Sequence, residues 1–314
     1  MCFSAQVDQK IRDLRRSFQA EFDYEAAEHL FHERLSNSAI KITRGFEANF
    51  DEPQTPAEKR IKELIDQYRL QQASKLEKDL FTQKKRLVEA ERKIKECDAA
   101  GKAPPKKTQE DQRIATTKVE LFTSKLSALR SSELTLDDKR IFPMVYAPII
   151  LKRDGTNAIE LARYHCRQTG KPAFYDAKFP GLYNARRNNI DKFWRSEFGS
   201  THALLVVDTF FENVDRDGKN VVLHFKPNPP KPMLVACLYS RWVDPKGGQL
   251  LSFAAVTDEP PAEVAAAGHD RMIVNLKPEH VETWLSPQGR SDAELQSILS
   301  DREAPYYAHE VMAA

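Results

Sequence analysis

The residue with the most distinctive reactivity in this chain is the cysteine at position 2. A small second residue normally permits removal of Met1, after which Cys2 carries a free α-amine beside its thiol. Such an amine has an unperturbed pKa of about 7.7–8.0 and is substantially nucleophilic near neutrality. It can condense with an aldehyde to give a Schiff base, and the thiol can then add to the imine carbon. The sequence therefore contains the parts for closing a five-membered thiazolidine ring. Alternatively, Cys2 is an incidental residue after the start codon.

Three segments of the second half are dense in residues suited to proton transfer and orientation: 183–187, 207–212 and 268–272. Glu212 is the candidate for managing the protons of an amine, and His269 for delivering a proton near neutral pH. Asn184 lacks useful acid–base chemistry, so we assign it to orienting reactants by hydrogen bonds. Each has a plainer alternative: a strand-end carboxylate, a surface or helix-capping histidine, and a turn asparagine.

Arg186 and Arg271 each stand two residues beyond one of these candidates. A guanidinium at such a place can hold phosphates in bidentate fashion, or it can be solvated or paired inside the protein. Residues 187–195 mix basic and aromatic side chains, a composition that suits single-stranded nucleic acid. Arg187 and Trp194 are therefore further candidates for DNA binding, although Trp194 could equally be a core residue.

The overall composition is that of a soluble globular protein, with 41% hydrophobic and 30% charged residues, mean hydropathy −0.58 and a net charge of +2. This charge does not indicate a nucleic-acid protein, so a DNA site must come from local clustering. The N-terminus lacks an apolar signal core, and no run is apolar and long enough to cross a membrane. We expect a cytoplasmic protein that has no membrane partner and is a monomer.

The cysteines and histidines do not have the spacing of a metal site. Cys2, Cys97, Cys166 and Cys237 form no CxxC-type pair, and disulfides are rare in a reducing compartment. His29 and His32 share a helix face, but no third ligand is near in the sequence. We therefore expect no metal and no other cofactor.

Helical periodicity occupies the first part of the chain. Apolar residues three and four apart predict helices over residues 5–35, 55–98 and 108–130, and the Gly-Lys-Ala-Pro-Pro stretch at 101–105 separates the last two. These two should form an antiparallel hairpin. Its mixed charge is typical of a solvated face, with a DNA-binding or protein-binding arm as the alternative.

After about residue 140 the sequence changes to short β-type runs separated by Asp-Gly, Asn-Pro and Gly-Gly turn signals. Most gaps between runs are too short for the helix that a parallel crossover needs. We predict strands at Ala203–Val207, Val221–Phe225, Met233–Leu238, Leu250–Val256 and Met272–Leu276. The fold class is α+β: a mainly antiparallel, barrel-like β domain with flanking helices, formed by residues 1–50 and 135–314 and interrupted by a helical hairpin at 51–134.

Four motifs in this order resemble the SOS-response-associated peptidase (SRAP) family: Cys2, Asn184-Ala185-Arg186, a strand leading to Phe211-Glu212, and His269-Asp270-Arg271-Met272. Each motif is weak alone, but four in order are specific. The resemblance covers Cys2 and roughly residues 140–285. Three positions depart from the family: Phe3-Ser4 replaces the usual Gly-Arg, Ile273 replaces a proline, and residues 142–148 replace a tryptophan-containing stretch.

The resemblance implies a DNA-damage (SOS response) repair protein that crosslinks through Cys2 to abasic sites in single-stranded DNA. An opened abasic deoxyribose supplies the aldehyde, Cys2, Asn184, Glu212 and His269 would be catalytic, and Arg186 and Arg271 would hold the DNA. A lyase-type activity is part of this expectation. Two alternatives stay open. The chain could be an N-terminal-cysteine (auto)peptidase that removes its own Met1, or a non-catalytic scaffold that binds a protein partner through the hairpin.

Overall fold

The computed structural model describes residues 4–216, 218–244 and 247–312. Its helices are α1 (Ile11–Phe18), α2 (Tyr24–Arg34), α3 (Arg44–Glu47), α4 (Pro56–Ala99), α5 (Lys106–Arg130), α6 (Tyr175–Lys178), α7 (Ile190–Phe193), α8 (Ala262–Ala266), α9 (Val281–Leu285) and α10 (Asp292–Ser300). Its strands are β1 (Ser4–Gln6), β2 (Glu21–Phe22), β3 (Lys41–Ile42), β4 (Arg140–Ile141), β5 (Val145–Arg153), β6 (Thr156–Tyr164), β7 (Asn184–Arg186), β8 (His202–Val207), β9 (Thr209–Arg216), β10 (Lys219–Asn228), β11 (Met233–Val243), β12 (Gln249–Asp258), β13 (Met272–Ile273) and β14 (Tyr306–Val311). None of the described helices combines the length and apolar character needed to span a bilayer.

A closed barrel forms the centre of the larger part of the chain. Strands β6, β5, β8, β11 and β12 follow one another by antiparallel pairing, and β12 returns to β6 by parallel pairing of Ser252 with Arg163 and Phe253 with Tyr164. Closure removes the exposed edges that an open sheet would leave. This α+β architecture, mainly antiparallel and barrel-like, confirms the predicted fold class.

A second sheet packs on the barrel. Its strand order is β14-β10-β9-β1-β4, with antiparallel pairing throughout. Phe210 and Phe225 from this sheet share one hydrophobic core with Leu205, Val207 and Phe253 from the barrel. The N-terminal strand β1 is thereby fixed between β9 and β4, which brings the start of the described chain into the middle of this sheet.

Local sequence signals account for several elements. Asp154 and Gly155 both have positive φ, 50° and 79°, and connect β5 to β6 as the two-residue turn that Asp-Gly favours. Asp23 caps α2 by accepting from the Ala26 N–H. Ser291 and Glu294 form a reciprocal capping box at the start of α10.

The chain divides into two compact units: Met1–Ile61 together with Thr135–Ala314, and Lys62–Leu134. The second unit consists of most of α4 and all of α5. Within it, Arg86 lies 2.5 Å from Asp111, and Arg130 contacts Glu77, so the two helices run antiparallel. The expected insertion at 51–134 begins earlier than this unit.

The long helices and the five predicted strands are present, although the last strand is shorter than predicted, at Met272–Ile273. The helix predicted over residues 5–35 is wrong in part. Residues 4–6 form β1, and the short strand β2 separates α1 from α2. Glu212 was placed at the end of a strand, whereas it lies inside β9, where Leu223 of β10 is its partner.

Candidate active site

A buried carboxylate–imidazole pair forms the centre of the site. Glu212 Oε2 lies 2.9 Å from His269 Nε2, with side-chain exposures of 0% and 7%. On the other side of the ring, Nδ1 lies 2.7 Å from the carbonyl oxygen of Arg271. Because a carbonyl oxygen only accepts, Nδ1 must carry a hydrogen. Nε2 is then the ring atom that faces the Glu212 carboxyl, close enough for a proton to pass between the two groups.

The backbone explains how two residues far apart in sequence meet. Glu212 is held in the interior of β9, and His269 follows α8 in a tight turn at Gly268, whose φ is +99°. That conformation is strained for any residue with a side chain. A Cβ at Gly268 would stand 3.7 Å from the Cβ of Val214 on β9. A Cβ would therefore fit against β9, and it is the positive φ of the turn before His269 that favours glycine here.

Asn184 opens β7, which pairs in parallel with β12 at Ala255. Its side chain is 5% exposed, and neither its Oδ1 nor its Nδ2 has a hydrogen-bond partner among the residues that the structure describes. Native proteins satisfy most buried polar groups, so an orphaned buried amide calls for a functional or structural reason. Asn184 can give one hydrogen bond and accept another from a molecule that enters the site.

Arg186 and Arg271 are brought to the same end of β12. Arg186 pairs with Thr257 from one side, while β13, which begins immediately after Arg271, pairs with Thr257 and Asp258 from the other. Two strands that flank a third lie about 10 Å apart. Neither arginine forms an ion pair within the described parts of the chain, and the Arg271 Nε is buried with no partner there. Two half-buried cations therefore lie beside the Asn184 and His269 segments.

The structure gives structural roles to two of the predicted DNA-binding residues. The guanidinium of Arg187 donates to Asp258 at 2.9 Å and to the side-chain and main-chain oxygens of Gln296 at 2.9 and 3.1 Å, and it also bonds Ser300. Trp194 is 2% exposed and belongs to the core. The stacking role predicted for Trp194 is wrong, because a buried indole offers no face to a base, and the protein already uses the donors of Arg187.

The N-terminal strand β1 begins beside the segment of β9 that carries Glu212. Ser4, the first described residue, pairs with Phe211, the neighbour of Glu212. The Ser4 hydroxyl accepts a hydrogen bond of 2.8 Å from Arg140 Nε, and the Arg140 guanidinium lies 4.0 Å from the centre of the Phe211 ring. Burial lowers the pKa of Arg140. Cys2 itself lies outside the described residues.

Within the described ranges, no group of three His, Cys, Asp or Glu side chains is placed to hold a metal ion. Among the cysteines, Cys166 and Cys237 are buried, and burial raises the pKa of each thiol. Such thiols are poor nucleophiles.

The family model described as SOS response associated peptidase (SRAP) matches residues 108–314, which is more than half of the chain. The chain belongs to this family. The match contains Asn184, Glu212 and His269 and begins well after the N-terminal strand.

A relative of known name and several solved structures resemble this SRAP chain. It is 30% identical over 126 residues to "Abasic site processing protein YoaM" of Bacillus subtilis (strain 168), over 39% of this chain and 55% of that protein. The chain thus spans about half the length of this curated relative. A solved structure from Bacteroides thetaiotaomicron is 19% identical, with a TM-score of 0.48 over 56% of this chain and 78% of that one. One from Bordetella bronchiseptica is 18% identical, with a TM-score of 0.47 over 59% and 90%.

Residues 187–195 were predicted to contact nucleic acid, but the larger exposed aromatic surface to which Phe193 belongs was not predicted. It consists of Phe174, Tyr175, Phe179 and Phe193, whose consecutive ring centres lie 5.4, 4.9 and 6.2 Å apart. Phe174 is 61% and Phe193 is 40% exposed. Lys178 stands over Phe179 at 5.4 Å. The signal was present in the sequence, because residues 171–179 alternate lysines and aromatics directly before the Asn184 motif.

Proposed function

We propose that this protein processes abasic sites in single-stranded DNA by forming a covalent thiazolidine with the sugar aldehyde through Cys2. The observation that carries the proposal is the buried Glu212–His269 pair, which lies beside the strand where the described chain begins. Cys2 stands two positions before Ser4 in the sequence, and Ser4 pairs with Phe211, the residue before Glu212. The name of the Bacillus subtilis relative agrees with the substrate.

The chemistry proceeds in two additions. The Cys2 amine adds to the aldehyde carbon, and the resulting hydroxyl leaves as water, giving an imine. The thiolate then adds to the imine carbon, and the imine nitrogen takes up the proton that the thiol has lost. One C–N and one C–S bond form, and one water is released. No oxidant, reductant or cofactor is consumed.

The site residues supply the proton movements that these steps need. Glu212 takes a proton from the attacking amine, and His269 delivers one to the sugar ring oxygen on opening or to the departing hydroxyl. The 2.9 Å distance between Glu212 Oε2 and His269 Nε2 allows a proton to pass in either direction. Asn184, with its unpartnered amide, orients Cys2 and the sugar.

The surroundings suit a single-stranded substrate. Arg186 and Arg271 can each hold a phosphate beside the lesion. The aromatic surface of residues 174–193 offers ring faces for unpaired bases, with lysines for the backbone. Base pairing would hide the base faces, so this surface favours single strands.

A peptidase activity is the second candidate, and the family's description favours it. An N-terminal thiol whose own amine acts as base can attack a peptide carbonyl. Removal of Met1 would be its simplest product. The two activities share Cys2 and do not exclude each other.

Mass spectrometry of the full chain tests the proposal. The purified protein should begin at Cys2, and incubation with an oligonucleotide containing one abasic site should give a species of combined mass less one water. The same oligonucleotide with a reduced, alcohol-bearing abasic site should give none. Cys2→Ala should lose the durable adduct, while Cys2→Ser should allow only a reversible imine. No adduct with the aldehyde-bearing DNA, or full reactivity of a chain that retains Met1, would contradict the proposal. Cleavage of peptide substrates without an adduct would favour the peptidase.

A further inference from the structure

The long helix α4 has an apolar face that the hairpin does not cover. Leu70, Phe81 and Val88 are 73%, 72% and 64% exposed. They are 11 and 7 residues apart, so at 100° per residue their directions agree within about 20°. The buried residues of the same helix, Ile65 and Ala90, point to the opposite side. Among the residues that point in this direction, Glu77 contacts Arg130 of α5, whereas the three apolar side chains are exposed.

The charges on this face are unevenly distributed. Glu63 and Asp66 lie at one end of the apolar stripe, and Arg92 and Lys95 lie at the other, each within about 40° of its direction. The stripe itself, from Leu70 to Val88, is about 27 Å long. An acidic end and a basic end on one helix face are complementary when two such helices run in opposite directions.

We infer that α4 pairs with α4 of a second copy of this chain in an antiparallel, two-fold symmetric contact. In an antiparallel register, facing residues have numbers with a constant sum. With Leu70 facing Val88 of the second copy, Asp66 faces Arg92 and Glu63 faces Lys95. Symmetry repeats every contact. A parallel pair in register is disfavoured, because like charges would meet at both ends: Glu63 and Asp66 at one, Arg92 and Lys95 at the other.

The apolar residues supply the attraction, and the charges select the orientation. Aromatic side chains near the centre of an interface usually contribute most to the binding free energy. Phe81 lies close to the two-fold axis of this contact. Asp66 and Arg92 now contact Lys62 and Glu96 one turn away. Such exposed pairs are worth about 0.2–0.5 kcal/mol, so they can exchange for partners in the second chain.

The contact is small. A single helix pair with three apolar residues from each chain falls at the low end of specific interfaces, below about 1,200 Å² in total. The dimer should therefore dissociate on the order of micromolar concentration. High salt should weaken it, because its orientation depends on exposed charges.

Sedimentation velocity of the full chain over a range of concentrations tests the inference, with circular dichroism to confirm helicity. Phe81→Asp should raise the dissociation constant at least about tenfold. Leu136→Asp is the control: it removes an exposed apolar side chain outside the hairpin, 53% exposed against 72% for Phe81, and should leave association unchanged. A chain that is monomeric at every concentration, or a dimer that Phe81→Asp does not weaken, overturns the inference.

A charge-swap experiment tests the register. One variant carries E63K and D66K, and the other carries R92E and K95E. Each alone should dimerise less well than the parent, because like charges now meet. Mixed together, they restore every opposite-charge pair and should associate at least as well as the parent protein. Failure of the mixture to recover association would rule out this antiparallel register.

Discussion

Glu212 and His269, separated by 56 residues in sequence, lie in contact through Oε2 and Nε2 at 2.9 Å. The Arg271 carbonyl fixes a hydrogen on the opposite ring nitrogen. The other ring nitrogen, Nε2, therefore faces the Glu212 carboxyl within the distance at which a proton can be transferred. The pair is thus built to relay a proton at a place closed to bulk water.

Removing either member of the pair should slow DNA crosslinking without changing its product. General acid–base groups contribute about 10²–10⁴-fold in rate. An aminothiol reacts with aldehydes unaided, so Glu212→Gln and His269→Ala should form the same adduct more slowly, with an altered pH–rate profile. Time courses on denaturing gels across pH provide the measurement. Glu212→Gln should also slow reversal, because ring opening needs protonation.

Melting curves are the control for these variants, since both side chains are buried. If both variants stay folded and react at the parent rate, neither residue takes part in the chemistry.

Arg186, Arg187 and Arg271 were all predicted to bind DNA, but their replacement should have different effects on binding and stability. Arg186→Ala and Arg271→Ala should weaken binding of single-stranded DNA and reduce the salt dependence by about one unit of slope for each lost phosphate contact. Arg187→Ala should instead lower stability by about 1–3 kcal/mol, because it leaves Gln296 Oε1 without its donor and removes one of the two arginines that contact Asp258. Fluorescence anisotropy at several salt concentrations, with denaturant melts, separates the two classes. Equal salt slopes in all three variants would contradict the assignment.

The sequence carried enough information for most elements and for the residue types of the site. Asp154-Gly155 and the apolar run before it indicate the β5–β6 hairpin, which is absent from the five predicted strands. Strand β1 was not predicted, because Val7, Ile11, Leu14 and Phe18 give this part of the chain a helical pattern. Strand pairing with Phe211, a contact distant in sequence, decides its conformation.

The arrangement of the site depends on tertiary contacts that a single sequence does not encode locally. Nothing near Glu212 indicates that the turn at Gly268 will deliver His269 to it. Trp194 and Phe193 are adjacent and chemically similar, yet one is buried and the other 40% exposed. Composition suggests a nucleic-acid surface at residues 187–195, but packing determines which of those side chains can reach a ligand.

His202 should make the fold sensitive to mild acid. Burial lowers its pKa from 6.5 to about 3, while Nδ1 donates to the Trp284 carbonyl and Nε2 accepts from the Gly199 N–H. A depressed folded-state pKa means that this contribution to stability is complete above the unfolded value of 6.5. It is lost as the pH falls towards 3.

The expected loss from this residue between pH 7 and pH 5 is about 2 kcal/mol, at roughly 1.4 kcal/mol per pH unit below the unfolded pKa. His202→Gln should be less stable at pH 7 but lose less stability on acidification. His32→Gln, at an exposed position, should keep the parent pH dependence. Urea unfolding at several pH values measures both, and identical pH slopes for His202→Gln and the parent would disprove the assignment.

We expect the Asn184 side chain to lower the free energy of unfolding while it serves the chemistry of the site. Its buried amide has no hydrogen-bond partner in the described chain, and leaving such a group unsatisfied costs about 1–3 kcal/mol. Asn184→Leu removes the unsatisfied atoms at similar volume, so it should keep or raise the free energy of unfolding while slowing crosslinking. Asn275→Leu is the matched control, because this asparagine is 1% exposed and its Oδ1 accepts from the Leu234 N–H at 2.7 Å. It should lose about 1–3 kcal/mol. Denaturant melts of the two variants, with crosslinking rates for Asn184→Leu, decide the matter. Equal destabilisation of both would mean that Asn184 is a structural residue whose amide is satisfied in solution.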